Sequence, residues 1–384
     1  MKESVRQLKI EHLLKSKSFF LLGPRSTGKT TLIHQRLPHA RFYDLLDSRV
    51  FSRLLKNPQI IEEENLGTAH SVVIDEIQKM PSLLDEVQRL ISKYNWRFLL
   101  TGSSARKLKH GAANLLAGRV WLAELFPLTS NEITDFDLLT YLNRGGLPQV
   151  YHSPNPSEEL ENYVALYLKE EIQSESLTRN LPAFANFLDA MALSNGEEIN
   201  FESFASDCGV SPGTVKNHIQ ILEDTLIGFS LKGFTKTKKR KAISRIKHYF
   251  FDVGVINTLC HRGIIRQKSD LFGRAFEQFI IQEIRAFLSY SRIRQPMSYW
   301  RSTSQFEVDL IIGDHLAIEI KSTSQVDAKH LKGLHALKEE GLIKNYAVVS
   351  QDMEKRKTRS GITIYPWKKF LADLWSGKIL KTQS

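Results

Sequence analysis

Apolar and polar positions alternate along the chain with two different periods. Across residues 18–125 the short apolar runs SFFLLG, RFYDLL, SVVIDE, RFLLTG and RVWLAEL are separated by helix-like stretches, which predicts strands of a parallel α/β sheet. Across residues 126–195 the spacing becomes helical, broken by GGLP at 145–148 and SPNP at 153–156, and predicts a helical lid and connector. Residues 196–252 predict two short helices and then a hairpin; Val215, Ile219, Leu222 and Leu226 fall on one face of the second helix. Beyond Ile264 the pattern predicts a long helix burying Phe276, Phe279, Ile280 and Ile284. Three strands (MSYWRS, FEVDLIIG, LAIEIKSTS), a helix, a strand and a closing segment follow. The expected fold class is α/β in four regions, 1–128, 129–195, 196–262 and 263–384.

A length of 384 residues agrees with several domains, each able to bury a core. No apolar run approaches the ~20 residues of a spanning helix, so no membrane role is expected. The N-terminus reads as an amphipathic helix entering a strand, without a signal-peptide pattern, and the expectation is a cytoplasmic protein. Cys208 and Cys260 cannot form a disulfide framework or a cysteine-rich zinc site, and the 12 histidines form no HExxH cluster, which leaves any metal to oxygen ligands. Lys and Arg total 53 against 42 acids, a net +11 that raises the expectation of a polyanionic partner.

The first candidate chemistry follows the first predicted strand. Gly23, Pro24, Arg25, Ser26, Thr27, Gly28, Lys29 and Thr30 spell a Walker A motif, with Thr31 continuing into a helix-like segment. Its glycines let backbone amides close around phosphates, Lys29 reaches the β and γ phosphates, and the Thr30 hydroxyl suits Mg²⁺. The expected cofactors are therefore ATP and Mg²⁺. A carboxylate and a water-polarising base should end another strand, and SVVIDEIQK offers Asp75 for the metal and Glu76 for the water. On the next strand, Ser103 is the expected γ-phosphate sensor, with Thr101 as the alternative. Arg119 has two readings of about equal weight: an arginine finger on a neighbouring subunit of a homo-oligomer, or an arginine salt-bridged at a strand start. Arg144 in NRGGLP is a weaker finger candidate.

The region 196–252 resembles a winged helix. Thr214, Lys216, Asn217 and Gln220 would face solvent on its second helix, positioned for bases or phosphates. Residues 236–247 hold seven Lys or Arg and no acid, so this hairpin is expected to grip DNA in a salt-dependent way. The competing reading is a domain-packing module with a solvated charged turn. In the last region Asp309 lies on one apolar strand and Glu319 and Lys321 on the next, with Glu277 on the long helix. Asp309 and Glu319 could bind one or two Mg²⁺, Lys321 could polarise water, and Glu277 could reach in. A simple Glu319–Lys321 ion pair is the plainer alternative.

Taken together, GPRSTGKT, SVVIDEIQ, LLTGSS, LAGRVWLAELFPLT, RGGLP, KHYFFDVGVINTL, GRAFEQFI, EVDLII and AIEIKS resemble prokaryotic AAA-type P-loop ATPases that append a winged helix and a restriction-endonuclease-like PD-(D/E)XK domain. The resemblance covers nearly the whole chain. It implies a P-loop ATPase core at 1–128, a lid at 129–195, a winged helix at 196–262 and a nuclease-like domain at 263–384. It also implies the phosphate, metal and sensor roles of Lys29, Thr30, Asp75, Glu76 and Ser103. The function expected is a DNA-associated Mg²⁺-dependent ATPase with a nuclease-like C-terminal domain, in which Glu277, Asp309, Glu319 and Lys321 all remain and keep phosphodiester cleavage open. The alternative is a nucleotide-gated DNA-binding regulator, or protein-docking switch, with a catalytically silent C-terminal domain.

Overall fold

A computed structural model describes residues 4–67, 71–102, 116, 118–168 and 181–381. The chain divides into two compact units. The first is Met1–Thr134 with Leu147–His152 and Asp224–Ile227; the second is Asp135–Gly146, Ser153–Glu223 and Gly228–Ser384. Among the described residues no helix is long and apolar enough to cross a membrane.

In the first unit, strands β1 (Ser18–Leu22), β2 (Arg41–Asp44), β3 (Ser71–Asp75), β4 (Arg97–Gly102) and β5 (Val120–Glu124) pair in parallel, in the order β2-β3-β4-β1-β5. Strand β1 is buried at every position and β3 and β4 at nearly every one, because helices cover both faces of a parallel sheet. Val72, Ile74, Phe98 and Leu100 pack in one core with Leu83, Val87 and Leu90 of the helix Leu83–Tyr94. The chain leaves β1 between β4 and the edge strand β5, where the strand order reverses, and ligands of open α/β sheets bind at that point.

The second unit holds one nine-stranded sheet. Its strands are β6 (Glu198–Ile199), β7 (Gly228–Gly233), β8 (Ile246–Phe250), β9 (Met297–Arg301), β10 (Glu307–Ile312), β11 (Leu316–Ile320), β12 (Asn345–Ser350), β13 (Arg356–Lys357) and β14 (Thr363–Pro366). They run in the order β13-β14-β12-β11-β10-β9-β7-β8-β6. Strands β9, β10 and β11 form an antiparallel meander, and β11, β12 and β14 are parallel. The helix Asp270–Tyr290 buries Phe276, Phe279, Ile280 and Ile284, the face expected from its spacing.

The hairpin β7–β8 joins this sheet, since β7 pairs in parallel with β9 through Lys232 with Ser298 and Gly233 with Tyr299. The sheet therefore runs unbroken across the expected boundary at 262/263. The two helices before the hairpin are Phe201–Asp207 and Pro212–Asp224; Val215, Ile219 and Leu222 are buried, and Lys216, Asn217 and Gln220 are exposed. Two details depart from the expectation. Leu226 lies past the helix end, at φ 60°, and packs with the core of the first unit. Thr214 is half-buried, its hydroxyl 2.9 Å from that of Ser211.

Candidate functional site

The loop after β1 is shaped by two tight positions. A Cβ at Gly23 would lie 2.5 Å from the Leu125 carbonyl oxygen, and Gly28 sits at φ +87°, a conformation that costs glycine nothing. Thr27 closes the turn from inside, its hydroxyl donating to the Pro24 carbonyl at 2.8 Å. Gly28 leads directly into the helix Lys29–Arg36, so the loop ends on the first turn of a helix, whose N–H groups suit an anion. The Lys29 ammonium lies along the loop and donates to the carbonyls of Gly23 and Pro24 at 2.7 and 3.1 Å. Thr30, exposed at the loop mouth, donates from its hydroxyl to Asp75 Oδ2 at 2.9 Å. Asp75, the last residue of β3, is 3% exposed. The next residue, Glu76, takes the left-handed conformation at φ 58°, which costs a non-glycine residue energy and recurs at functional sites.

In the second unit, β8, β10, β11 and the helix Asp270–Tyr290 deliver charged groups to one buried centre. Pairing between β9 and β10 shifts register between Val308 and Ile311, and Asp309 lies in that irregular stretch; bulges of this kind re-aim side chains. Asp309 Oδ2 accepts from the Ile320 N–H at 2.7 Å and stands 3.4 Å from Lys321 Nζ. Lys321, one residue beyond β11, is 2.7 Å from Glu319 Oε1. The other carboxylate oxygen, Glu319 Oε2, is buried and has no hydrogen-bond partner among the described residues. Glu277 Oε1 accepts from the Tyr249 hydroxyl at 2.7 Å. Lys247 of β8, 5% exposed, pairs with Glu307 at 2.5 Å.

These groups perturb one another. Burial first, and Asp309 second, push the carboxyl of Glu277 up; the same two causes push that of Glu319 well up. The ammonium of Lys321 is raised: burial opposes its charge, but Asp309 and Glu319 outweigh it. Lys247 is raised in the same manner, against burial, by Glu277, Glu307 and Asp309. Among the described residues no group of three or more His, Cys, Asp or Glu side chains is arranged to hold a metal ion.

Residues 15–134 match a family described as an AAA domain. On a loop of this geometry, that match decides the first unit. It contains an AAA-type ATPase domain. Such a domain binds nucleotide, and the parallel sheet and loop described above are its core. Residues 135–268 and 272–370 match two families each described as a domain of unknown function, DUF8612 and DUF4143. Two relatives, the uncharacterized proteins Mb2031c of Mycobacterium bovis and Rv2008c of Mycobacterium tuberculosis, are each 26% identical over 318 residues, 79% of this chain and 70% of theirs. Among solved structures, the Orc1 protein of Aeropyrum pernix in complex with DNA aligns at 12% identity and a TM-score of 0.28, over 66% of this chain and 90% of that one. A STAND protein with a tetratricopeptide repeat sensor from Pyrococcus horikoshii aligns at 17% and 0.26, over 76% and 48%.

Within the AAA domain the structure brings Lys29, Thr30, Asp75 and Glu76 to one mouth of the sheet. Ser103 lies outside the described residues. Thr101 hydrogen-bonds through its hydroxyl to Asp75 Oδ1 and accepts from the Glu76 N–H at 3.0 Å, so it ties the two acids together. Arg119 is exposed on the turn before β5. Arg144, in the second unit, donates to the Ser153 carbonyl at 3.3 Å. Sequence reasoning missed two supports of the loop. Arg6, 6% exposed, pairs with Glu132 at 2.9 Å and also binds the Phe126 carbonyl, with the Thr27 carbonyl at 3.4 Å. Pro148 Cγ stands 3.8 Å from the position of a Cβ at Gly28. Lys247 and Tyr249 were missed as members of the buried centre; the one signal was a lysine and a tyrosine at i and i+2, on one face of the strand IKHYF.

The basic hairpin departs from a free cationic wing. The backbone N–H groups of Lys238, Lys239 and Arg240 all donate to the Glu340 carboxylate, at 2.8, 2.9 and 3.0 Å, and the Arg240 guanidinium pairs with Glu339 at 2.6 Å. Burial works against Glu340, yet these N–H groups hold its carboxyl below the ordinary range. Residues 236–247 contain no acid, but acids about a hundred positions away meet them. Lys236, Lys238, Lys239, Lys241 and Arg245 remain exposed.

Proposed function

We propose that the chain is a Mg²⁺-dependent, DNA-associated ATPase whose second unit carries a phosphodiester-cleaving centre. The observation that carries the ATPase mechanism is the hydrogen bond joining Thr30 to Asp75 beside Lys29. A hydroxyl and a carboxylate oxygen so close together are the hard donors Mg²⁺ prefers, so the residues present fit the ion. Bound there, Mg²⁺ would neutralise charge on the β and γ phosphates. Lys29 would exchange its loop carbonyls for phosphate oxygens, and Glu76 would orient the attacking water.

For the second unit, the unpartnered Glu319 Oε2 supports a cation held by Asp309 and Glu319. Lys321 would then polarise the attacking water, and the hydrogen bond from Tyr249 would hold Glu277 in place beside them. A second reading, a silent C-terminal domain in a nucleotide-gated DNA-binding regulator or docking switch, is favoured by one observation: Lys321 already ion-pairs with both acids.

The test is ATP turnover with and without DNA, run beside a nuclease assay with Mg²⁺ or Mn²⁺. Lys29→Ala should abolish nucleotide binding. Glu76→Gln should bind ATP but lose about a hundred-fold or more in turnover. Unchanged turnover in both variants rejects the ATPase mechanism. Nicking that disappears in Asp309→Ala or Lys321→Ala supports the cleaving centre, and its absence from wild-type protein under every nucleotide condition leaves the silent reading.

A further inference from the structure

The second unit has a polar cavity of about 620 Å³ whose lining holds four lysines and no aspartate or glutamate. They come from four places: Lys338 ends the helix Lys332–Lys338, Lys344 precedes β12, Lys357 ends β13, and Lys378 follows the helix Trp367–Trp375. The lining also includes Leu316, Asn345 and Thr363, the first residues of the parallel strands β11, β12 and β14. Glu319 and Lys321 lie at the other end of β11, about 10–17 Å away along a strand that rises ~3.3 Å per residue. The cavity is thus separate from the buried charge centre.

Like charges converge there at a cost, and the protein compensates only half of them. Lys338 donates to the Ser360 carbonyl, and Lys344 pairs with Asp314 at 2.9 Å. Lys357 and Lys378 are exposed and, among the described residues, have no ion pair. Ammonium groups placed around a concave polar surface focus a positive potential inside it and attract a compact anion. A volume of this size suits a small molecule. A duplex would meet only its rim.

We propose that this cavity binds a small, multiply phosphorylated ligand of nucleotide size, with Lys357 and Lys378 supplying the charges that hold its phosphates. Asn345 and Thr363 offer an amide and a hydroxyl for the remainder of the ligand. Because the cavity shares no residue with the Walker A loop, the inference stands apart from the proposed ATPase mechanism.

The test uses full-length protein carrying Lys29→Ala, which removes phosphate binding at the AAA loop. Pyrophosphate and ADP are titrated calorimetrically at low salt, and melting temperature is followed in parallel. One saturable site is expected, weakened at least ten-fold by adding Lys357→Gln and Lys378→Gln together, with the ligand-induced rise in melting temperature lost as well. If either added variant fails to fold, Lys357→Arg with Lys378→Arg should retain the site. Equal affinity in the double glutamine variant, or no binding at all, overturns the proposal. Affinity that instead climbs with oligonucleotide length overturns it too, in favour of a nucleic-acid backbone surface.

Discussion

The most informative residues are those whose burial has to be offset. Lys247 is 5% exposed and stands among Glu277, Glu307 and Asp309, so its charge compensates a cluster of acids that would otherwise repel. Removing one partner of a buried ion pair leaves the other uncompensated, and Glu307 retains some solvent. Lys247→Ala should therefore cost about 3 kcal/mol in urea unfolding, the low end for such a loss. Lys247→Arg should restore part of it. His248, next in sequence, faces the opposite way and is fully buried. Its Nδ1 is 3.1 Å from the Ser230 hydroxyl, and its Nε2 has no hydrogen-bond partner among the described residues. Burial lowers its pKa from the usual 6.5 to about 3. The unfolded chain takes up a proton below 6.5 that the folded protein refuses, so this group's effect on stability is unfavourable as pH falls through that window. Between pH 7 and 5 the wild type should lose about 2 kcal/mol on this account, and His248→Gln should not. Both residues read in the sequence as part of a basic or aromatic run; only the paired strands show which way each one points.

At the scale of single elements, the turn after the helix Leu138–Arg144 shows how closely distant segments fit. Asp252 precedes the helix Val253–Leu259 and caps it, Oδ1 accepting from the N–H groups of Gly254 and Val255 at 2.8 and 3.2 Å. Its Oδ2 accepts from the Gly146 N–H at 2.7 Å. Gly145 sits at φ +77°, and a Cβ there would lie 1.9 Å from Asp252 Oδ1. Gly145→Ala combines that collision with a left-handed backbone, and should destabilise the second unit by about 2–4 kcal/mol, read as a lower urea midpoint at unchanged slope. Asp252→Asn should cost less, because one amide oxygen still caps the helix. The motifs RGGLP and FFDVG are legible as turn and cap signals separately. Their mutual contact, across more than a hundred residues, is not.

For the whole molecule, two compact units predict two cooperative transitions. In calorimetry a non-hydrolysable ATP analogue at a hundred times its dissociation constant should stabilise only the unit containing the Walker A loop. The gain is about 2.7 kcal/mol, a rise of roughly 5–10 °C for a domain of that size. Lys29→Ala should abolish that rise and leave the other transition in place. A single transition that moves as one would show that the units unfold together.

Sequence alone determined the phosphate loop, because its parts are contiguous. Strand, turn and helix follow one another over residues 18–36, and the left-handed backbone at Gly28 is a local feature of that stretch. Strands β1, β3 and β4 were equally legible, since helices on both faces make them almost continuously apolar. The tertiary structure decided the rest. Lys247 meets Glu307, and Glu340 meets Lys238, Lys239 and Arg240, across 60 to 102 positions. Nothing in local propensity encodes those pairings. They arise because β7 adds to β9, and once that sheet closes, a buried charge must find whatever opposite charge the neighbouring strands and helices bring to it.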